Sequence, residues 1–226
     1  MIKRLTVMVF VVLLFSSAHL RAGEIIDRIV ATVNGHIILQ SDWDDAVRCE
    51  ALMNGHALPQ ITPKDRKNVL DRLIDQELLR EQIPPQETPS VSNGDVSRRL
   101  EEIRKFYDKG SDPQAWAKTL AQYQVTEPQI KDRIVLQFQL MWLVNSHLRG
   151  EVQIDQKSIE SYYNQDLLPQ LDQSGGKQIP LAKATPQIKE ILTQRKMNEL
   201  LIAWLQNLRA GSKIVTNSSD AGDQVQ

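Results

Sequence analysis

The sequence predicts a mainly α protein, a multi-helix module with a small sheet made from an N-terminal hairpin and a C-terminal strand. Three observations carry this. Asn34-Gly35, the pair a type I′ turn favours because both central residues must accept positive φ, lies between the β-rich runs Ile29–Val33 and His36–Leu39. From Asp42 to Gly211 apolar residues recur mostly at helical spacing. Apart from Val152–Ile154, the remaining β-branched run outside helical patterns is Ile214–Thr216. A two-stranded ribbon is marginal alone, so the hairpin is expected to take Ile214–Thr216 as its third strand. Val33 then opposes His36 and Ala31 opposes Ile38, which leaves apolar side chains on both faces and predicts that both are covered.

Ahead of the hairpin, Lys3-Arg4, the eleven-residue block Leu5–Phe15 with Thr6 as its one polar residue, and the small residues Ser16-Ser17-Ala18 and Ala22-Gly23 follow in secretory order. A bilayer span needs about 20 apolar residues. Residues 1–22 are therefore expected to be a cleavable signal peptide, cut after Ala18 or Ala22, with no stable membrane insertion afterwards. Its removal takes Lys3, Arg4 and Arg21 from the 27 basic residues and none of the 28 acids, leaving a mildly acidic chain. No basic stripe exists to neutralise phosphates, so nucleic acid is excluded as an expected partner. Cys49 is the single cysteine, and stability must come from packing without an intramolecular disulfide.

The helices follow in order. Ser41 is expected to cap the first, from Asp42 to about Met53, and Asn54-Gly55 to stop it. Thr62-Pro63 opens the second, whose stripe is Val69, Leu70, Leu73, Ile74, Leu78 and Leu79, and Pro84-Pro85 ends it. A third opens at Asn93 or Asp95 with Val96, Leu100, Ile103 and Tyr107, and Gly110 closes it. Asp112-Pro113 opens the fourth, and Thr126-Glu127-Pro128 the fifth. Between Ile134 and Trp142 only Gln137 and Gln139 are polar, so the fifth helix is either sandwiched or offers a face to a ligand. Asp155 opens a sixth through Ile159, Tyr162 and Tyr163. Pro169–Ala184, with Gly175-Gly176, is expected to be a polar, flexible linker. Thr185-Pro186 is expected to start the last helix, Gly211 to cap it, and residues 217–226 to form a disordered tail.

These residues resemble a known family. DRIVATVNGHIILQSD (Asp27–Asp42), VLDRLIDQELLREQ (Val69–Gln82), the segment Val91–Tyr163 and AWLQNLRAGSKIV (Ala203–Val215) look, in order, like SurA-type periplasmic chaperones and peptidyl-prolyl isomerases over residues 24–216. The resemblance implies a SurA N-terminal-like chaperone module, residues 23–168, completed by residues 185–216. It implies binding of unfolded or extended polypeptides, with outer-membrane protein precursors as the expected partners. Family members usually carry parvulin-type isomerase domains between these parts. Here only residues 169–184 lie between them, and a domain needs on the order of 100 residues.

The residues themselves offer little catalytic chemistry. His36, His56, His147 and Cys49 share no metal-ligand spacing, and no glycine-rich phosphate loop occurs, so no metal and no cofactor are expected. Holding unfolded chains calls for adaptable apolar area. Trp43, Met53, Trp116, Tyr123, Met141 and Trp142 are the candidates for it, with core packing as the competing role of each. With these residues, the resemblance implies an ATP-independent periplasmic holdase that is not expected to be an enzyme. A peptidyl-prolyl isomerase and a non-catalytic envelope adaptor remain the alternatives.

Overall fold

A computed structural model describes residues 27–84, 86, 89–107, 109–175 and 177–217. The expected signal peptide and residues 218–226 of the expected tail lie outside the described residues, whereas Asn217, expected to open that tail, donates to the Val30 carbonyl at 3.0 Å and to the Ile29 carbonyl at 2.7 Å. The order is β1 (Ile29–Val33), β2 (His36–Leu39), α1 (Gln40–Met53), α2 (Pro63–Arg80), α3 (Asn93–Arg104), α4 (Pro113–Tyr123), α5 (Glu127–Leu148), α6 (Gln156–Tyr162), α7 (Leu168–Gln173), α8 (Leu181–Gly211) and β3 (Ile214–Thr216). The fold is mainly α with one small antiparallel sheet, as the sequence predicts.

The sheet has the order β2-β1-β3. Asn34 (φ 49°) and Gly35 (φ 92°) both take positive φ in the turn, Val33 faces His36, and Ala31 faces Ile38. β3 joins the other edge of β1, with Thr32 opposite Val215 and Val33 opposite Ile214. Val33, Ala31 and Ile38 enter a core with Trp43, Val47, Val69, Ile74 and Leu78 of α1 and α2, closed by Leu208 and Ile214. The outer face departs from expectation. Across it run Ile37, Thr32 and Val215, and Ile37 and Val215 stay 50% and 49% exposed. All the helices that bury the sheet lie on its other side, so one covered face suffices.

Side-chain caps set most helix starts, because the first amides of a helix have no internal partner. Thr62 Oγ1 accepts from the Asp65 amide at 3.2 Å while the Asp65 carboxylate accepts from the Thr62 amide at 2.9 Å, with Pro63 at the first helical position. Thr126 and Gln129 repeat this on α5. Ser92 caps α3, Asp112 caps α4 and Asp155 caps α6.

Two starts differ from the sequence reading. Ser41 lies inside α1; its hydroxyl donates to the carboxylate of Asp27, and that bond holds the Asp27 carboxyl below its usual range. Asp42 serves the helix start instead, accepting from the Leu39 amide at 3.0 Å. The last helix begins at Leu181, four residues before Thr185, and carries Pro186 inside it. Thr185 Oγ1 donates to the Leu181 carbonyl at 2.8 Å, so the hydroxyl satisfies the helix from within rather than capping it. Pro186 is the sixth residue of the helix and so forgoes one i→i−4 bond.

The expected flexible linker is correspondingly shorter. A π-turn, Tyr163–Leu167, carries α6 into α7, so residues 168–173 are helical, and residues 181–184 belong to α8. Tyr163 donates to the Ile179 carbonyl at 2.7 Å, and Leu167 and Leu181 pack with Ile159, Ala184 and Ile188. These apolar anchors order a stretch that reads as polar by composition. α3 also ends earlier than expected, at Arg104, although Gly110 still matters at the turn that follows. A Cβ at position 110 would lie 2.1 Å from the Arg104 carbonyl oxygen.

Candidate functional site

α5 is the spine of the candidate site. Its first half buries Ile130 and Ile134 against Leu52 of α1, Leu100 and Ile103 of α3 and Trp116 of α4. Residues three and four apart share a helical face, so Phe138, Met141 and Trp142 prolong that stripe. Its burial does not continue with it. Phe138 still touches the cluster, whereas Met141 is 49% and Trp142 37% exposed. The other face of α5 packs Leu140 and Leu143 on Leu79 and on the half-buried Leu201, Trp204 and Leu205 of α8. There the His147 ring stacks on Trp204 with centroids 4.1 Å apart.

Beside this stripe runs a crevice between α1, α2 and α5. A cavity of about 270 Å³ is lined by Met53, Arg72, Gln76, Arg99, Leu136 and Leu140, together with Glu50, Asn54, Arg133 and Gln137. Gln76, Arg133 and Leu136 also line a second cavity, of about 330 Å³, whose far wall is His36, Ile37 and Ile38 of β2. Arg133 and Leu136 reach a third, of about 230 Å³, against Asp42, Asp45 and Cys49. Arg133 and Leu136 line all three, so the cavities adjoin along α5 and together are called the groove. Met141 lies one helical turn beyond Gln137, so the exposed stripe continues from the Met53 end of the groove.

The six candidate residues divide between core and surface. Trp43, Trp116 and Tyr123 are 3%, 2% and 5% exposed, which corrects the expectation that they offer contact area. Each is held by a polar anchor as well as by packing. Trp43 Nε1 donates to the Arg66 carbonyl at 2.8 Å, Trp116 Nε1 to Glu127 at 3.0 Å, and the Tyr123 hydroxyl to the His56 carbonyl at 2.9 Å. Met53, Met141 and Trp142 stand in or beside the groove. Arg133, Leu136 and Leu140 were not among the candidates. The apolar middle of α5 signals Leu136 and Leu140, but nothing local distinguishes Arg133 from any other helix-surface arginine.

The groove offers recognition by apolar area and cations. Glu127 gathers Lys131 at 2.7 Å, Arg104 at 2.8 Å and the Trp116 indole, and its carboxyl lies below the usual range, chiefly through the Lys131 bond. Burial pushes the Cys49 thiol up, away from the reactive thiolate. Among the described residues no group of three or more His, Cys, Asp or Glu side chains could hold a metal ion, and no helix is long and apolar enough to cross a membrane.

No curated protein matches the chain. The family described as the SurA-like N-terminal domain matches residues 1–141, a span that contains the hairpin, α1 to α4 and α5 as far as Met141. A match over more than half the chain, on the elements that build the groove, shows that the protein belongs to the SurA-like N-terminal domain family.

Proposed function

We propose that the protein is an ATP-independent periplasmic holdase, which binds unfolded or extended polypeptides, outer-membrane protein precursors foremost, along the α5 groove. The family has a chaperone-like, polypeptide-binding role in general. The observation that carries the finer reading is the α5 stripe. It leaves its core partners at Phe138 and emerges as Met141 and Trp142 beside the cavity lined by Met53, Leu136 and Leu140. Exposed apolar area next to a groove marks an interaction surface, and methionine adapts to varied side chains. The export-type N-terminus supports the periplasmic assignment. Binding without isomerase catalysis is supported by the α7–α8 connection, residues 174–180, where a domain of on the order of 100 residues would have to stand.

The test is light scattering of a urea-unfolded outer-membrane protein diluted into a several-fold molar excess of this protein without nucleotide. Suppressed aggregation is expected, with M141E/W142E less effective at unchanged fold. Equal aggregation with and without the protein overturns the reading.

A further inference from the structure

Arg133 stands at the middle of the groove, where three cavities meet. The other arginines there are engaged. Arg72 holds Glu50 with Nε at 3.1 Å, Arg99 holds Glu102 at 3.0 Å, and Arg80 holds Glu77 at 2.9 Å. Of the carboxylates that line the third cavity, Asp132 makes no hydrogen bond or ion pair among the described residues, whereas two are engaged. Asp42 accepts from the Leu39 amide at 3.0 Å, and Asp45 accepts from Arg48 and, at 3.2 Å, from Gln129. Among the described residues Arg133 makes no hydrogen bond or ion pair, although it is half-buried.

A guanidinium has five donors in a planar fork that matches a carboxylate in two parallel bonds. With no protein acceptor, the Arg133 fork is free to take a ligand carboxylate. The Met53 side of the groove carries three arginines against a single acid, Glu50, so its charge favours an anion. Beside Arg133 the apolar lining is Leu136, with Met53 and Leu140 to one side and Ile37 and Leu73 to the other, while Asp42, Asp45 and Asp132 line the third cavity. We infer that Arg133 is a specificity-determining residue, selecting extended apolar segments that carry one acidic side chain, whose carboxylate it binds as a fork. This rests on the holdase reading and names the clients that the groove prefers.

Peptides of about twelve residues, apolar and aromatic with one central Glu, are compared with the same peptides carrying Gln, all acetylated and amidated to remove terminal charge. Affinity for the full chain is read by fluorescence anisotropy. The Glu peptide is expected to bind roughly tenfold tighter than the Gln peptide. That preference is expected to vanish in Arg133→Gln and to pass to a central Lys in Arg133→Glu, each with an unchanged circular dichroism spectrum. Equal affinity of the two peptides for the unaltered protein, or a Glu preference that survives Arg133→Gln, overturns the inference and leaves the holdase reading standing. A Gln peptide with a free C-terminal carboxylate that binds as tightly as the Glu peptide overturns the assignment to a side chain. Failure of every peptide to bind overturns the holdase reading, and this inference with it.

Discussion

Asn34 and Ser212, 178 positions apart in sequence, are joined by a hydrogen bond of 3.1 Å from the Asn34 amide to the Ser212 hydroxyl. The same amide nitrogen donates to Glu81 at 2.7 Å, and its oxygen accepts from the Lys213 backbone at 2.8 Å. One side chain at the hairpin tip thus ties the end of α2 to the corner between α8 and β3. Asn34→Gly keeps the positive φ and loses all three bonds, and is expected to lower the unfolding free energy by about 1–3 kcal/mol. Asn34→Asp is expected to cost no less, since a carboxylate cannot donate to Glu81. Urea denaturation reads both, and an unchanged midpoint for Asn34→Asp contradicts the clasp.

Truncation probes the same junction from the other end. Deleting residues 212–226 removes β3 and the Asn34 partners on its side, whereas deleting 218–226 leaves them in place. The first is expected to melt well below the full chain and the second with it. Equal melting temperatures for the two refute the prediction.

Arg209 of α8 donates to Asp75 of α2 at 2.6 Å and to the Asp71 carbonyl at 3.0 Å, and the Asp75 bond raises its already high pKa. Both side chains are partly exposed, so solvent screens the pair. A double-mutant cycle of Arg209→Met and Asp75→Asn is expected to give a coupling of roughly 1 kcal/mol in the favourable direction. Zero coupling at low salt contradicts it.

Trp116 and Trp142 separate core from surface. Trp116→Ala opens the cluster that holds Tyr107, Tyr123 and Ile130, and is expected to cost about 3–5 kcal/mol. Trp142→Ala is expected to cost about 1 kcal/mol or less and instead to weaken client binding. Reversed effects on melting temperature would place the groove elsewhere.

Glu127 gives the fold an acid limit. Its folded pKa lies below the ordinary value of 4.5, so its contribution is complete above that value and is lost as pH falls through the lower, folded one. The melting-temperature advantage of the unaltered protein over Glu127→Gln is therefore expected to be steady from pH 7 to 5 and to shrink below about pH 4.5. A constant difference down to pH 3 contradicts the assignment.

What the sequence makes legible is what neighbouring residues decide. Asn34-Gly35 determines its own turn and hence the Val33–His36 register, and Thr62-Pro63 and Thr126 each carry a cap and its reciprocal partner within three residues. Exposure is different. Trp116 and Trp142 each lie on an apolar helical stripe, and whether one is buried depends on where other helices end. For Trp116 that is settled by Arg104 and Glu127 closing over the ring, and for Trp142 by a core cluster that stops at Phe138. Ser41 misleads for a similar reason. Its local role as a cap loses to Asp27, which the chain reversal at the hairpin brings alongside. The helix at Leu168–Gln173 is hidden by composition, because it buries no residue of its own and continues from the π-turn, whose Leu167 packs with residues of α6 and α8.

The place of β1 in the sheet sets an order of events during synthesis. Its first neighbour, β2, is delivered a few residues later, but its second, β3, comes only when residue 216 has emerged. Until then Thr32 has no partner on that side and the hairpin has one free edge too many, while closing so long a loop carries its own entropic cost. The sheet is thus completed only once residue 216 has emerged, and until that moment the protein is itself an unfinished polypeptide of the kind it is proposed to bind.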